Sequence, residues 1–352
     1  MLKFSSGARL ASLFLVCLVC SGQAAAKETY KIAWTIYAGT MPLGYAQDHG
    51  ILKKWGDKYG FDLEAMQLND YMEAQTQFTA GQFAGTVAIT LDALTIPASS
   101  GVDTSVVVPL STSVGSDGII IRGKEKGLVD LKNKSINLVE LSGSHYMLVR
   151  ALESVGLTEK DVNIVNTSDS DIGAIFSDKS AQVVATWKPQ LSEILKQYPD
   201  TSLVFDTSDI PGEIVDGLIV HTETLKQEPN LGKAIAGAWF EAVALLSESH
   251  PEHQQLIKYM AEQLNTTEAD IKSQLSTIEF FTPQSGIEYI TSASFKTKMQ
   301  QISEFAFAHG LLGERAPSAD HIGIVAGDRK VIGNKDNVKL RFPSEWLNGV
   351  AQ

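Results

Sequence analysis

Apolar and polar side chains alternate at residues 30–34 (Tyr-Lys-Ile-Ala-Trp) and again at 61–68, the two-residue period of a half-buried strand. Between them Gly39 and Pro42 mark a turn, and residues 43–48 read as a short helix closed by Gly50. Asp70, followed three residues later by Glu73, predicts a helix start, since each side chain can satisfy an amide that the first turn leaves free. Short apolar strands follow at 85–89 and 106–109, with a helix beginning at Asp92. From Gly118 the alternation starts over, with strands at 118–121, 135–139, 162–166, 183–186, 202–205 and 214–221 and a helix at 146–155 stopped by Gly156. Beyond them the pattern is mostly helical, at 225–248, 251–263 and 297–310.

Strand–helix alternation of this kind predicts an α/β protein with a mainly parallel sheet covered on both faces. A chain of 352 residues exceeds what one core usually serves, so two α/β lobes with a cleft between them are expected. No period of 20–50 residues recurs, which argues against a solenoid.

Charge and composition narrow the function classes. The formal net charge of −12 excludes nucleic acid as the expected partner and mildly favours a cationic ligand. At the N-terminus, Lys3 and Arg9 precede an apolar run at 10–20 that only Ser12 interrupts, and Ala24 and Ala26 suit a signal peptidase. That run is about half the ~20 residues of a membrane span. Residues 1–26 are therefore expected to be a signal peptide, cleaved after Ala26, giving a periplasmic chain that does not insert into the membrane. Cleavage would remove Lys3 and Arg9, taking the net charge from −12 to −14, and also Cys17 and Cys20, the only two cysteines. Disulfides, thiolate metal sites and cysteine catalysis are then excluded. Nucleophile-elbow, zinc-protease, Walker and dinucleotide motifs are missing, so neither an enzyme nor a bound metal or cofactor is expected. His250 and His253 flank Pro251 in a polar stretch and read as a solvated helix start.

In α/β sheets ligands sit beyond the carboxyl ends of the strands. That rule selects Trp34, Tyr37, Asp70, Asp92, Glu140, Ser142, Ser144, Trp187 and Asp216 as ligand-binding candidates, with Asp216 placed early in its strand near a crossover. Carboxylates beside apolar segments are costly unless paired, and indole or phenol faces attract cations. If these groups converge, the expected ligand is a small, planar, N–H-rich cation of the guanidinium kind, whose paired donors match a carboxylate. Plainer roles compete: Asp70 as a helix N-cap, Trp34 and Trp187 as core aromatics, Asp216 as a buried hinge residue, His145 as local packing. The Ser142-Gly143-Ser144 run exposes helix-start amides that suit an anion, a conflict unless Glu140 or a water takes those donors.

Three segments, Lys31-Ile32-Ala33-Trp34, residues 44–51 (Gly-Tyr-Ala-Gln-Asp-His-Gly-Ile) and Ala80-Gly81-Gln82, resemble the nitrate/sulfonate/taurine group of ABC-transporter solute-binding proteins. Asn69-Asp70-Tyr71, residues 90–97, 139–142, 144–146, 166–169 and 210–216 are similar to a narrower subgroup, the binding proteins encoded with urea carboxylase. The resemblance implies the type II periplasmic-binding-protein fold, with crossover strands near 113–117 and 213–217. Lobe 1 would comprise 27–115 plus 215–352, and lobe 2 would comprise 116–214. It also implies a small-molecule ligand (guanidine or urea), a permease and an ATPase as partners, and a monomer. A neutral amide, a sulfonate or taurine is the alternative ligand. A sensory receptor is another destination for the bound ligand, and a pyrimidine-precursor synthase of the same fold a remote alternative.

Overall fold

The computed structural model describes residues 27–349; the expected signal peptide lies outside them. Among the described residues, fourteen strands form two sheets. The first four are β1 (Thr29–Thr35), β2 (Asp62–Leu68), β3 (Gly85–Ile89) and β4 (Thr104–Ser113). The next five are β5 (Asp117–Arg122), β6 (Ser135–Leu138), β7 (Asn163–Asn166), β8 (Val183–Trp187) and β9 (Thr201–Asp206). The rest are β10 (Val215–His221), β11 (Ile278–Phe280), β12 (Gly323–Val325), β13 (Val331–Ile332) and β14 (Val338–Arg341). The larger sheet runs β13-β12-β14-β4-β10-β3-β1-β2, with β11 also on β4; the smaller runs β7-β6-β8-β5-β9. The chain passes from the larger sheet to the smaller between β4 and β5 and returns between β9 and β10.

Neither sheet is mainly parallel, contrary to the expectation from alternation. β1 pairs in parallel with β2 and β3, but β10 is antiparallel to both β3 and β4. In the smaller sheet β6 is parallel to β7 and β8, while β5 is antiparallel to β8 and β9. The double passage accounts for part of this: the strands that leave and re-enter each sheet, β4 with β10 and β5 with β9, run against each other. The carboxyl-terminal segment contributes β12–β14 to the larger sheet, with β14 parallel to β4.

Local chemistry fixes the elements around the crossovers. All ten residues of β4 are buried, as its apolar centre requires. Pro109 within it offers no N–H to the ladder, and the register with β10 slips by one between Asp216 and Gly217, a bulge beside the crossover. A Cβ on Gly217 would stand 2.9 Å from Val106 Cγ1, so the close approach needs glycine. The helix Tyr71–Thr79 begins as predicted, with the Asp70 carboxylate accepting the Glu73 N–H at 2.7 Å.

Candidate functional site

A small cavity of about 60 Å³ lies where β3, β4 and β10 of the larger sheet meet β5 and β8 of the smaller and the start of the helix Gly143–Ser154. Three carboxylates, Asp92, Asp117 and Asp216, line it together with Tyr37, Tyr71 and Trp187. Among the described residues lining it there is no Lys, Arg or His.

Asp216 stands at the start of β10 and Asp117 at the start of β5, positions that a carboxyl-end rule disfavours. Antiparallel pairing explains both. Asp216 lies opposite Ile89, the last residue of β3, and Asp117 opposite Trp187, the last residue of β8. Asp92 follows β3 in the short helix Thr90–Ala93 and has no exposed surface. Its Oδ2 accepts the Tyr71 hydroxyl at 2.8 Å, and that hydroxyl accepts the Ile89 N–H at 3.0 Å, so one phenol fixes the carboxylate to the backbone of β3. Asp92 Oδ1 is buried without a hydrogen-bond partner. The Ser111 hydroxyl donates to Asp216 at 3.1 Å, and the Ser113 hydroxyl donates to Asp117.

Burial dominates the electrostatics. It pushes Asp92 up to about 7, against the hydrogen bond from Tyr71. Asp216 is also pushed up to about 7, by burial and then by the neighbouring charges of Asp117 and Asp92. Asp117 rises to about 6, held lower by Ser113 and by Lys188. Lys188 is buried behind Trp187, where its ammonium donates to the Thr277 hydroxyl at 2.9 Å. Burial and the charges of Asp216 and Asp117 keep the Tyr37 phenol protonated, well above its ordinary value. The rings of Tyr71 and Trp187 meet edge-on at 6.1 Å.

The sequence candidates divide. Tyr37, Asp92, Ser142, Ser144, Trp187 and Asp216 line the cavity. Trp34 does not: its indole is 4% exposed and packs against Gly44, where a Cβ would stand 2.5 Å from Cζ2. Asp70 also lies outside, spent on its helix cap and on the Ser168 hydroxyl at 3.3 Å. Glu140 is exposed; Leu141 follows it at φ 66°, and Ser142 and Ser144 beyond that turn are buried. Tyr71 and Asp117 were missed; Tyr71 adjoins the recognised Asp70 cap, and Asp117 is an acid opening an apolar strand.

A second cluster, His145, Glu159 and His309, brings its nitrogens and carboxylate within reach of one metal ion. At His145 the hydrogen-bond pattern opposes that use. His145 Nδ1 accepts the Leu141 N–H at 3.0 Å, so Nε2 carries the proton and donates to Glu159 at 2.7 Å. Ligation through Nε2 would require removing that proton. The cluster is a hydrogen-bonded tie between the helices Gly143–Ser154 and Ala293–Ala308.

The model of a family described as NMT1/THI5 like matches residues 119–254. A candidate binding protein of Brucella abortus is 23% identical over 241 residues, covering 68% of this chain and 72% of that protein. Among solved structures, the alkanesulfonate-binding protein SsuA of Xanthomonas axonopodis, bound to MOPS, superposes with a TM-score of 0.69 at 17% identity, covering 85% of this chain and 99% of that one. The periplasmic nitrate-binding protein NrtA of Synechocystis gives a TM-score of 0.65 at 12% identity, covering 93% and 89%. The mixed α/β architecture with two sheets is thus the fold of these periplasmic binding proteins.

Proposed function

We propose that the chain is the exported solute-binding component of an ABC importer, and that its ligand is a small N–H-rich cation of the guanidine type. In this reading residues 1–26 direct export to the periplasm, where the monomer acts as a binding protein and not as an enzyme. Lobe 1 (27–115 plus 215–352) and lobe 2 (116–214) close over the ligand, and a permease with its ATPase receives it. The fold, shared with periplasmic binding proteins for sulfonates and nitrate, supports the receptor role.

One observation carries the ligand class: Asp92, Asp117 and Asp216 share a cavity with three aromatic rings and, among the described residues, no basic side chain on its walls. Burying an uncompensated carboxylate costs several kcal/mol. A planar cation offsets that cost through paired N–H donors and the ring faces. A sulfonate or nitrate placed there would add like charge, so the anions bound by the structural neighbours fit poorly.

Calorimetric titration with guanidine, urea, taurine and nitrate tests the reading. One site for guanidinium is expected, with Asp92→Asn weakening it more than tenfold, about 1.4 kcal/mol. Binding of taurine or nitrate without guanidine or urea overturns the ligand and leaves the receptor role standing. Urea binding that survives Asp92→Asn instead identifies a neutral amide.

A further inference from the structure

We infer that the ligand carries an oxygen acceptor besides its cationic N–H face, so that a planar cation bearing a carbonyl, such as amidinourea, suits this cavity better than guanidinium. This rests on the cationic reading above and adds a second pole to it.

The walls of the cavity make opposite demands. Asp92, Asp117 and Asp216 accept protons or N–H donors. The start of the twelve-residue helix Gly143–Ser154 offers donors, since first-turn amides have no partner within a helix and its dipole places partial positive charge there. Ser142 is consumed locally: its hydroxyl donates to the Val139 carbonyl at 2.7 Å and accepts the Ser144 N–H at 3.2 Å. Ser144 is not consumed. Its residue is 1% exposed, its Oγ has no hydrogen-bond partner, and it lines the same cavity. Glu140 could have supplied an internal acceptor for this wall, but it is exposed and does not line the cavity.

Leaving a buried polar group unmatched weakens a complex. Guanidinium has donors only: it can donate to the Ser144 oxygen, but it leaves the Ser144 O–H and the first-turn amides of the helix without an acceptor. A sulfonate matches the helix start but sets a full negative charge among three carboxylates. A carbonyl matches it without added charge.

The test is calorimetric titration of the full exported chain at neutral pH with guanidine, amidinourea and taurine, on the unaltered protein and on Ser144→Ala and Asp92→Asn. Amidinourea is expected to bind at least tenfold more tightly than guanidine. Ser144→Ala should shrink that preference to within threefold, and Asp92→Asn should weaken both cations alike. Guanidine binding as tightly as amidinourea, or a Ser144→Ala loss equal for both, overturns the acceptor pole while the cationic reading stands. Taurine binding more tightly than amidinourea, with dependence on Ser144, overturns the carbonyl in favour of an anionic acceptor. Absence of binding by both cations overturns the cationic reading and this inference together. Should Ser144→Ala fail to fold, the comparison of ligands on the unaltered protein still decides.

Discussion

Asp92 concentrates the conflict between stability and binding. Its carboxyl has no exposed surface, one oxygen is held by Tyr71, and the other is unpartnered. With burial raising it to about 7, Asp92 is only partly ionised at neutral pH without a cation, whereas a bound cation stabilises the ionised form. Cation affinity should therefore rise with pH through about 6 to 7 and level off above, as titrations across that range would show. A pH-independent affinity would mean that Asp92 and Asp216 do not change protonation on binding. Tyr71→Phe should weaken binding severalfold although the ring remains, because it frees the Asp92 Oδ2 and leaves the Ile89 N–H without its acceptor. At this scale the sequence shows which residues stand near strand ends, but not where their side chains point. Trp34 and Tyr37 are three positions apart, and only Tyr37 reaches the cavity.

The start of the helix Gly143–Ser154 approaches β3 so closely that a Cβ on Gly143 would stand 2.8 Å from Ile89 Cδ1. That contact joins an element of the smaller sheet's side to the larger sheet, so Gly143→Ala acts as a wedge at the cavity. The expected result is a five- to tenfold loss of affinity, mainly through faster dissociation, with little change in the melting of the unliganded chain; stopped-flow release kinetics would detect it. Asp70→Ala should do the reverse. It removes the cap of the helix Tyr71–Thr79, costing about 1 kcal/mol of stability, and leaves affinity within threefold. Most elements were legible because their periods are local properties of the chain: β1, β3, β5 and β8 follow alternating or apolar runs bounded by turn residues. Strand direction was not legible, since it depends on partners distant in sequence. Asp117 went unnoticed for that reason: a strand's first residue borders the cleft only when the strand runs against its neighbour. The short strands β12–β14 were missed because two to four residues carry too little periodicity.

Across the whole molecule, two sets of acids impose opposite pH slopes on stability. Asp92 is raised in the folded chain from 3.8 to about 7, so its contribution is full below its unfolded value and is lost as pH rises through 7. Asp216, raised to about 7 as well, acts in the same direction. Glu159 acts the other way. Burial would raise it, but hydrogen bonds from His145 and His309 hold it below its ordinary 4.5, so its contribution is present above that value and lost as pH falls through the folded one. Asp103, paired with Arg341 across β4 and β14, follows the same sign. The unliganded chain should thus melt highest near about pH 4 to 5, where Glu159 and Asp103 are ionised and the cavity acids still hold their protons, and lose several kcal/mol by about pH 8, mostly through the cavity acids. Asp92→Asn should flatten the alkaline limb, raising the melting temperature at pH 8 while abolishing tight binding. Saturating cation should flatten it as well, because the bound charge replaces the missing counter-ion, and further excess adds stabilisation by mass action. Melting curves from pH 5 to 8, with and without guanidine, distinguish this from a purely structural role. Were Asp92→Asn to lower the melting temperature at pH 8, its carboxylate would be part of the frame and not a group held in strain for a ligand.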